Sequence, residues 1–553
     1  MKNIQKYNRY EPFTLNDRTW PGKKIDVAPI WGSVDLRDGN QALPIPMTIE
    51  KKMVMFRHLV DLGFKEIEVG FPFASETDFN FVRKLIEEKH IPEDVRIIVL
   101  SSCSKECINN SFEALKDAKK AGIQIYTLCS PAQREYVIRM TREELLDYTY
   151  QAALYTRQCT EKYSQTDFVL AYGVESFSIT EIDFSLEICN EVIDAFNPTE
   201  ERKCLITLPA TVEVSLPNQF ADQIEFMHRN LIKRDRVILG VHTHNDRGTG
   251  VAAAEQALLA GADRIEGTLF GNGERTGNMD IVTLALNLYT TGVDPKLDFS
   301  NIDESVSIYK YCTGLDVYLR HPYAGKQVFT AYSGGHQDAI RKGLLHRKEK
   351  NEVKWLVPYI PIDPRDLGRN LDNIIQINAQ SGKGGIMYIV EEALDITLPI
   401  LIQKEFGKHI KKISDKNSSL LTTDEILKLF LNRYNSANQL NSELSLVINE
   451  DQGKNSVLIN LGFENFYFEL QPLQLINDIF EQIKSKLMIE SLNINELVEQ
   501  QDKDGRFYSF IQISDRDKTY HAFSWGDSLF RSNIQSIILC FQSLLISKKF
   551  VGA

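Results

Sequence analysis

The peptide His242-Thr243-His244-Asn245-Asp246 puts two imidazoles two residues apart at the end of an apolar, β-branched run, Arg236-Val-Ile-Leu-Gly-Val241. Side chains alternate along a strand, so His242 and His244 share one face, about 7 Å apart along the backbone, while Thr243 faces away. Two imidazoles so placed can grip one divalent ion. Asp38 adds a carboxylate and Asn278 an amide oxygen. Mixed nitrogen and oxygen ligation with open positions suits Zn2+, Mn2+ or Mg2+ and leaves room for a substrate. Such an ion acts as a Lewis acid and a template for a chelating oxyacid. Arg37, next to Asp38, carries a rigid, permanently charged donor fork that can stabilise a developing oxyanion.

These residues need a scaffold that gathers distant parts of the chain. From residue 25 to about 290, short apolar runs alternate with amphipathic stretches. The runs predict strands at Val27–Leu36, Glu66–Phe71, Val95–Ser101, Ile123–Cys129, Phe168–Tyr172, Cys204–Leu208, Val237–Val241 and Arg264–Phe270. Between them lie helical patterns such as Thr48–Leu62, where Met53, Phe56, Leu59 and Val60 form an apolar stripe after a Thr cap, and the Ala-rich Thr249–Ala260. Eight strand–helix repeats are the signature of a (β/α)8 barrel of roughly 250 residues. A doubly wound open sheet is the rival, but no GxGxxG follows the first strand. Polar residues collect at the strand ends: Arg37-Asp38, Glu68, Glu175, Thr211-Val-Glu213, His242/His244 and the loop Gly271–Asn278. In a barrel those ends share one mouth, where barrel enzymes keep their sites.

The organisation expected is a catalytic region at 1–290, connecting subdomains at 291–425, and a smaller α/β module at 426–553. In the module, strands Ser442–Ile448, Ser456–Leu461 and Asn465–Leu470 precede a helix Pro472–Leu487. Strands Phe507–Ile513 and Thr519–Ser524 then precede a helix Ser528–Ser547, a weakly repeated strand-strand-helix layout. A formal net charge of −12 with no long basic run argues against a nucleic-acid partner. No apolar stretch reaches the ~18 residues that span a membrane, and the N-terminus lacks a secretory core. The eight cysteines form no CxxC pair and sit mostly in apolar runs, as expected of reduced core residues in a cytoplasmic protein.

Leu36-Arg-Asp-Gly-Asn-Gln41, the His242–Asp246 peptide and Gly271-Asn-Gly-Glu-Arg-Thr-Gly-Asn278 resemble the DRE-TIM metallolyase superfamily. Longer segments resemble the 2-isopropylmalate synthase family in its long form with a C-terminal leucine-sensing domain. They are Asn8–Pro12, Asp17–Pro21, Leu208–Glu213, His244–Gly248, His336–Ile340 and Val357–Asp363. The resemblance implies a Claisen condensation of acetyl-CoA with 2-oxoisovalerate, yielding 2-isopropylmalate and CoA, the first committed step of leucine biosynthesis. It implies a divalent ion on Asp38, His242, His244 and Asn278, with Arg37 steadying the alkoxide. It also implies Glu175 and Thr211 near the oxoacid, Thr211 as a hydroxyl donor to its carboxylate. His336 and Tyr359 would reach a partner subunit's site in a homodimer, His336 as general acid/base. Ser381–Gly385 would lie near CoA, and feedback leucine would bind near the helix start at Ser524–Asp527.

The chain departs from that family in reading Gly173-Val-Glu175 for Ser-Pro-Glu, Thr243 for a proline, and Gly335 for a serine. A sister citramalate or homocitrate synthase would use the same metal and arginine. A hydroxymethylglutaryl-CoA lyase would need a cysteine in the loop 271–278, which has none. A silent leucine-binding regulator has no need of Arg37, Asp38, His242 and His244 together.

Overall fold

The computed structural model describes residues 4–6, 13–370, 383–417, 421–435, 446–451, 454–460, 465–470, 476–486, 488–516 and 518–549. The motif Asn8–Pro12, Ser381 and Gly382, and the beginnings of the expected strand at Ser442 and helix at Pro472 lie outside the described residues. The chain forms two compact units, Met1–Val328 with Pro364–Arg369, and Phe329–Asp363 with Asn370–Ala553.

In the first unit eight parallel strands close into a barrel in sequence order. They are β1 (Ile30–Ser33), β2 (Glu66–Gly70), β3 (Arg96–Ser102), β4 (Lys120–Leu128), β5 (Asp167–Glu175), β6 (Cys204–Ala210), β7 (Val237–Thr243) and β8 (Arg264–Gly267). The seam is β1 on β8, Ile30 opposite Arg264. This is the (β/α)8 barrel read from the alternating pattern, with several strand ends corrected: the first begins at Ile30 rather than Val27, the fourth at Lys120 rather than Ile123, and the fifth runs to Glu175 rather than Tyr172. The first strand stops at Ser33, because the Asp35 carboxylate accepts from Leu269 N–H at 3.0 Å and from the Ser33 hydroxyl at 2.9 Å. That pull turns Asp35–Gly39 into a π-helical turn carrying Arg37 and Asp38. The eighth strand stops at Gly267, and Phe270 beyond it is left-handed at φ 57°. The outer helix Ile49–Asp61 starts where expected, with Thr48 accepting from Lys51 N–H. A further helix, Ile302–Thr313, leans on it through His58 Nε2 and Ser305 Oγ at 3.0 Å.

All eight cysteines are buried and form no disulfide. Among the described residues no helix is long and apolar enough to cross a membrane.

The second unit contains helices Gly334–Lys350, Lys383–Leu394, Ile400–Asn417 and Thr423–Tyr434, then two antiparallel sheets. The first sheet holds β9 (Leu446–Asp451), β10 (Lys454–Asn460) and β11 (Asn465–Leu470), followed by the helix Ile476–Lys486. The second holds β12 (Leu492–Gln501), β13 (Phe507–Asp515) and β14 (Lys518–Gly526), followed by the helix Leu529–Lys549. The repeat is therefore three strands and a helix. Its missed strand, β12, carries an irregularity between Ile494 and Glu496 that breaks the alternation a sequence reading depends on. Phe406, Ile426 and Phe430 share one core cluster with Tyr508, Phe510 and Phe523.

Candidate active site

Asp38, His242 and His244 are buried, and one ligand atom from each lies within 4.8 Å of the others. Asp38 Oδ2 is the hub: His242 Nε2 stands 3.5 Å away, His244 Nε2 3.8 Å, and Asn278 Nδ2 donates to it at 2.8 Å. His242 is in β7; His244, one residue past its end, pairs as an isolated antiparallel bridge with Asn278. That bridge ties the loop after β8 back onto the histidine strand. Asn278 Oδ1 and His244 Nδ1 are buried without a hydrogen-bond partner. A half-turn of the Asn278 amide exchanges its nitrogen for its oxygen, which would then join a carboxylate and two imidazoles as a fourth ligand. The donor set and the orphaned oxygen fit a divalent cation.

The charges around this hub are strongly coupled. Burial alone would raise the Asp38 carboxyl, but Arg37 and the two histidines hold it far below the usual carboxylate range. Burial would lower His242, yet hydrogen bonds to Asp38 and Glu266 raise it to about 9. Burial and then the neighbouring His242 push His244 down to about 4. Glu266 lies against both Arg264 and His242, which overcome its burial and bring it to about 2.

The arginine stands at the same place. Arg37 Nη1 reaches Asp38 Oδ1 at 2.7 Å and Nη2 reaches Glu68 Oε2 at 3.0 Å. A cavity of about 370 Å³ opens beside it, lined by Arg37, Asp38, Glu175, Thr211, His242 and His244 among others. Thr211 Oγ1 accepts from Ser176 N–H at 2.9 Å, which leaves its proton to donate. Burial raises the Glu175 carboxyl above its ordinary value against the pull of Arg37. Glu213, one of the polar strand ends, accepts from Arg247 N–H at 2.5 Å and so fixes the backbone after the histidines.

Seven of the nine sequence-derived site residues thus belong to one unit, six of them on the cavity wall and Asn278 against Asp38. His336 and Tyr359 belong to the second unit. Both are exposed, and their rings stack at 4.0 Å between centroids. Tyr359 is held left-handed at φ 65°.

Sequence reasoning missed Arg264, Glu266, Gln124 and Tyr126. The first two did leave a trace: Glu66-Ile-Glu68 and Arg264-Ile-Glu266 both read charge, apolar, charge, which in a closed barrel turns both charges inward.

An eight-stranded barrel that gathers a carboxylate, two imidazoles and an arginine at its mouth has the layout of a barrel enzyme. The HMGL-like family matches residues 28–308, and the alpha-isopropylmalate synthase post-catalytic domain-like family matches residues 326–391. A 2-isopropylmalate synthase of Clostridium acetobutylicum is 45% identical over 545 residues, 96% of this chain and 98% of that protein. That of Acetoanaerobium sticklandii is 51% identical over 432 residues, 78% of this chain and 76% of that protein. That of Ralstonia pickettii is 52% identical over 429 residues, 78% and 75% of the two chains. The chain belongs to the 2-isopropylmalate synthase family and is an acyltransferase.

Proposed function

We propose that the cavity binds 2-oxoisovalerate and joins it to acetyl-CoA, releasing 2-isopropylmalate and CoA in the first committed step of leucine biosynthesis. The observation that carries this reading is the meeting of Asp38, His242 and His244 within 4.8 Å of one another on the wall that Arg37 shares. Held by these three and Asn278, a divalent cation (Mg2+, Mn2+ or Zn2+) supplies Lewis acidity toward a 2-oxoacid.

The chain's own residues do the rest. Thr211 donates its hydroxyl proton to the oxoacid carboxylate, and Glu175 flanks the bound acid. His336, stacked on Tyr359, is the base that takes a methyl proton from acetyl-CoA. The enolate carbon attacks C2 of the oxoacid, the carbon–carbon bond forms, and the ketone oxygen becomes an alkoxide. Arg37, aimed by Asp38 and Glu68, stabilises that charge until it is protonated. Water then cleaves the thioester and CoA leaves as the thiol. His336 and Tyr359 are exposed on the second unit, which suits a pair supplied across a homodimer. Residues 1–290 would carry catalysis, 291–425 would contribute this pair, and 426–553 would sense leucine as a feedback inhibitor in a cytoplasmic enzyme.

The test is CoA thiol release from acetyl-CoA with 2-oxoisovalerate, pyruvate, 2-oxobutyrate and 2-oxoglutarate, each with and without chelator. Release should be fastest with 2-oxoisovalerate and should stop with chelator. Equal or faster turnover of pyruvate or 2-oxoglutarate would move the chain to a sister synthase. Indifference to chelator would remove the cation.

A further inference from the structure

The two imidazoles of the hub are not equivalent. His242 Nδ1 lies 3.0 Å from Glu266 Oε2, whereas His244 Nδ1 is buried and has no partner. The register explains the difference. His242 pairs with Glu266, Glu266 with Gly32, and Gly32 with Glu66, so one row crosses β7, β8, β1 and β2 inside the barrel. Gly32 is the gap in that row. A Cβ there would collide with the Arg264 guanidinium, which rises from the row below and fills the gap. Arg264 Nε donates to Glu66 Oε2 at 2.5 Å and Nη1 donates to Glu266 Oε1. Arg264 and Glu266 are each 1% exposed. One guanidinium between the buried Glu266 and the half-buried Glu66 leaves an acceptor oxygen over, and that oxygen faces His242.

From this row we infer that Glu266, held by Arg264, is a positioning residue that accepts the His242 Nδ1 proton and so commits Nε2 to a cation. A carboxylate behind a ligating imidazole fixes both its tautomer and its ring orientation. Nothing comparable stands behind His244 among the described residues, so His242 is the pre-set ligand and His244 the adaptable one. The inference rests on the cation reading above.

Calorimetric titration of Mn2+ into the full-length, chelator-stripped protein separates the two. Glu266→Gln keeps the volume but offers His242 an amide, and should weaken Mn2+ binding by about 10- to 100-fold. Its kcat should recover toward wild type at saturating Mn2+. Glu66→Gln, which leaves the Glu266–His242 contact in place, should change Mn2+ affinity less than about threefold. If Glu266→Gln fails to fold, Glu266→Asp decides, because it keeps the charge for Arg264 while withdrawing the oxygen from His242. Wild-type affinity in Glu266→Gln or Glu266→Asp overturns the inference, as does an equal loss in Glu66→Gln, which would mark the row as mere packing. A wild-type protein that binds no Mn2+ refutes the cation reading itself.

Discussion

Arg37 and Glu68, 31 residues apart in sequence, meet at 3.0 Å because the turn after β1 and the end of β2 open on the same mouth. The Glu68 carboxylate is only 2% exposed, and burial pushes it up while Arg37 pulls it back. With Asp38 on its other nitrogen, the guanidinium is fixed in one plane, its buried Nε still unpartnered. A lysine has one compact ammonium and cannot serve both carboxylates while reaching into the cavity. Arg37→Lys should therefore lower kcat by about 100-fold or more, the scale of losing one oxyanion donor. Far-ultraviolet circular dichroism should remain that of the wild type. A variant keeping a third of the wild-type kcat would remove Arg37 from the chemistry.

Lys52 is wholly buried on the helix Ile49–Asp61 and binds the strand ends from beneath. Its ammonium donates to Leu36 O at 2.8 Å, to Val69 O at 3.4 Å and to Asp78 Oδ1 at 2.5 Å. Leu36 precedes Arg37 and Val69 follows Glu68, so one cation staples both halves of the arginine's mount. Removing one partner of a buried pair leaves the other uncompensated, at a cost of about 3–5 kcal/mol. Lys52→Met should lose that much in urea unfolding, and Lys52→Met with Asp78→Leu should recover part of it. A loss below about 1 kcal/mol would contradict the buried pairing.

Glu181 sits just before the helix Ile182–Phe196, with Arg134 at 2.7 Å and Arg142 at 3.0 Å. Burial opposes ionisation there, but the two arginines prevail and bring the carboxyl down to about 2 from the model-peptide 4.5. A depressed acid stabilises the fold above its unfolded value, and that contribution disappears as pH falls from about 4.5 through about 2. Glu181→Gln should therefore be less stable than wild type at pH 7, and the gap in urea midpoints should narrow below about pH 4.5. A gap that widened in acid would have the wrong sign.

What was legible in the sequence was periodicity and its interruptions. Eight apolar runs, six of them ending in polar residues, imply both barrel and mouth, and an HxH at a strand end needs only the period of two to face one way. Arg264 and Glu266 escaped because charge alternating with Ile reads as a half-exposed strand. Only closure of the sheet, and the gap at Gly32, makes that face interior. Lys52 escaped for a similar reason, since a lysine on an amphipathic helix belongs to the solvated face unless carbonyls wait for it. The amide of Asn278 was foreseen as an oxygen donor, yet it turns its nitrogen to Asp38, whose charge in that arrangement calls for a donor. The strand β12 was lost to its own irregularity.

The sequence also suggested a boundary near residue 426, and the core of the second unit bears on how it can be tested. Residue 426 falls within the helix Thr423–Tyr434, whose Phe430 meets Phe523 of β14 at 5.5 Å between ring centroids. Phe406, Phe430 and Phe523 are each 0% exposed, in one cluster with Ile410 and Phe510. A chain ended at residue 430 would uncover the helical half of that cluster, a contiguous apolar face of the kind that drives association. It should bind a hydrophobic dye and aggregate on gel filtration, so its response to leucine would be uninformative. The informative variant is Phe523→Ala in the full chain. Truncating a buried phenylalanine costs about 3–5 kcal/mol. Calorimetry should then show a transition shifted down, whereas Phe523→Leu should shift it far less. A folded, monodisperse chain ending at 430 with the wild-type thermal midpoint would show that these helices do not need β14 to cover them.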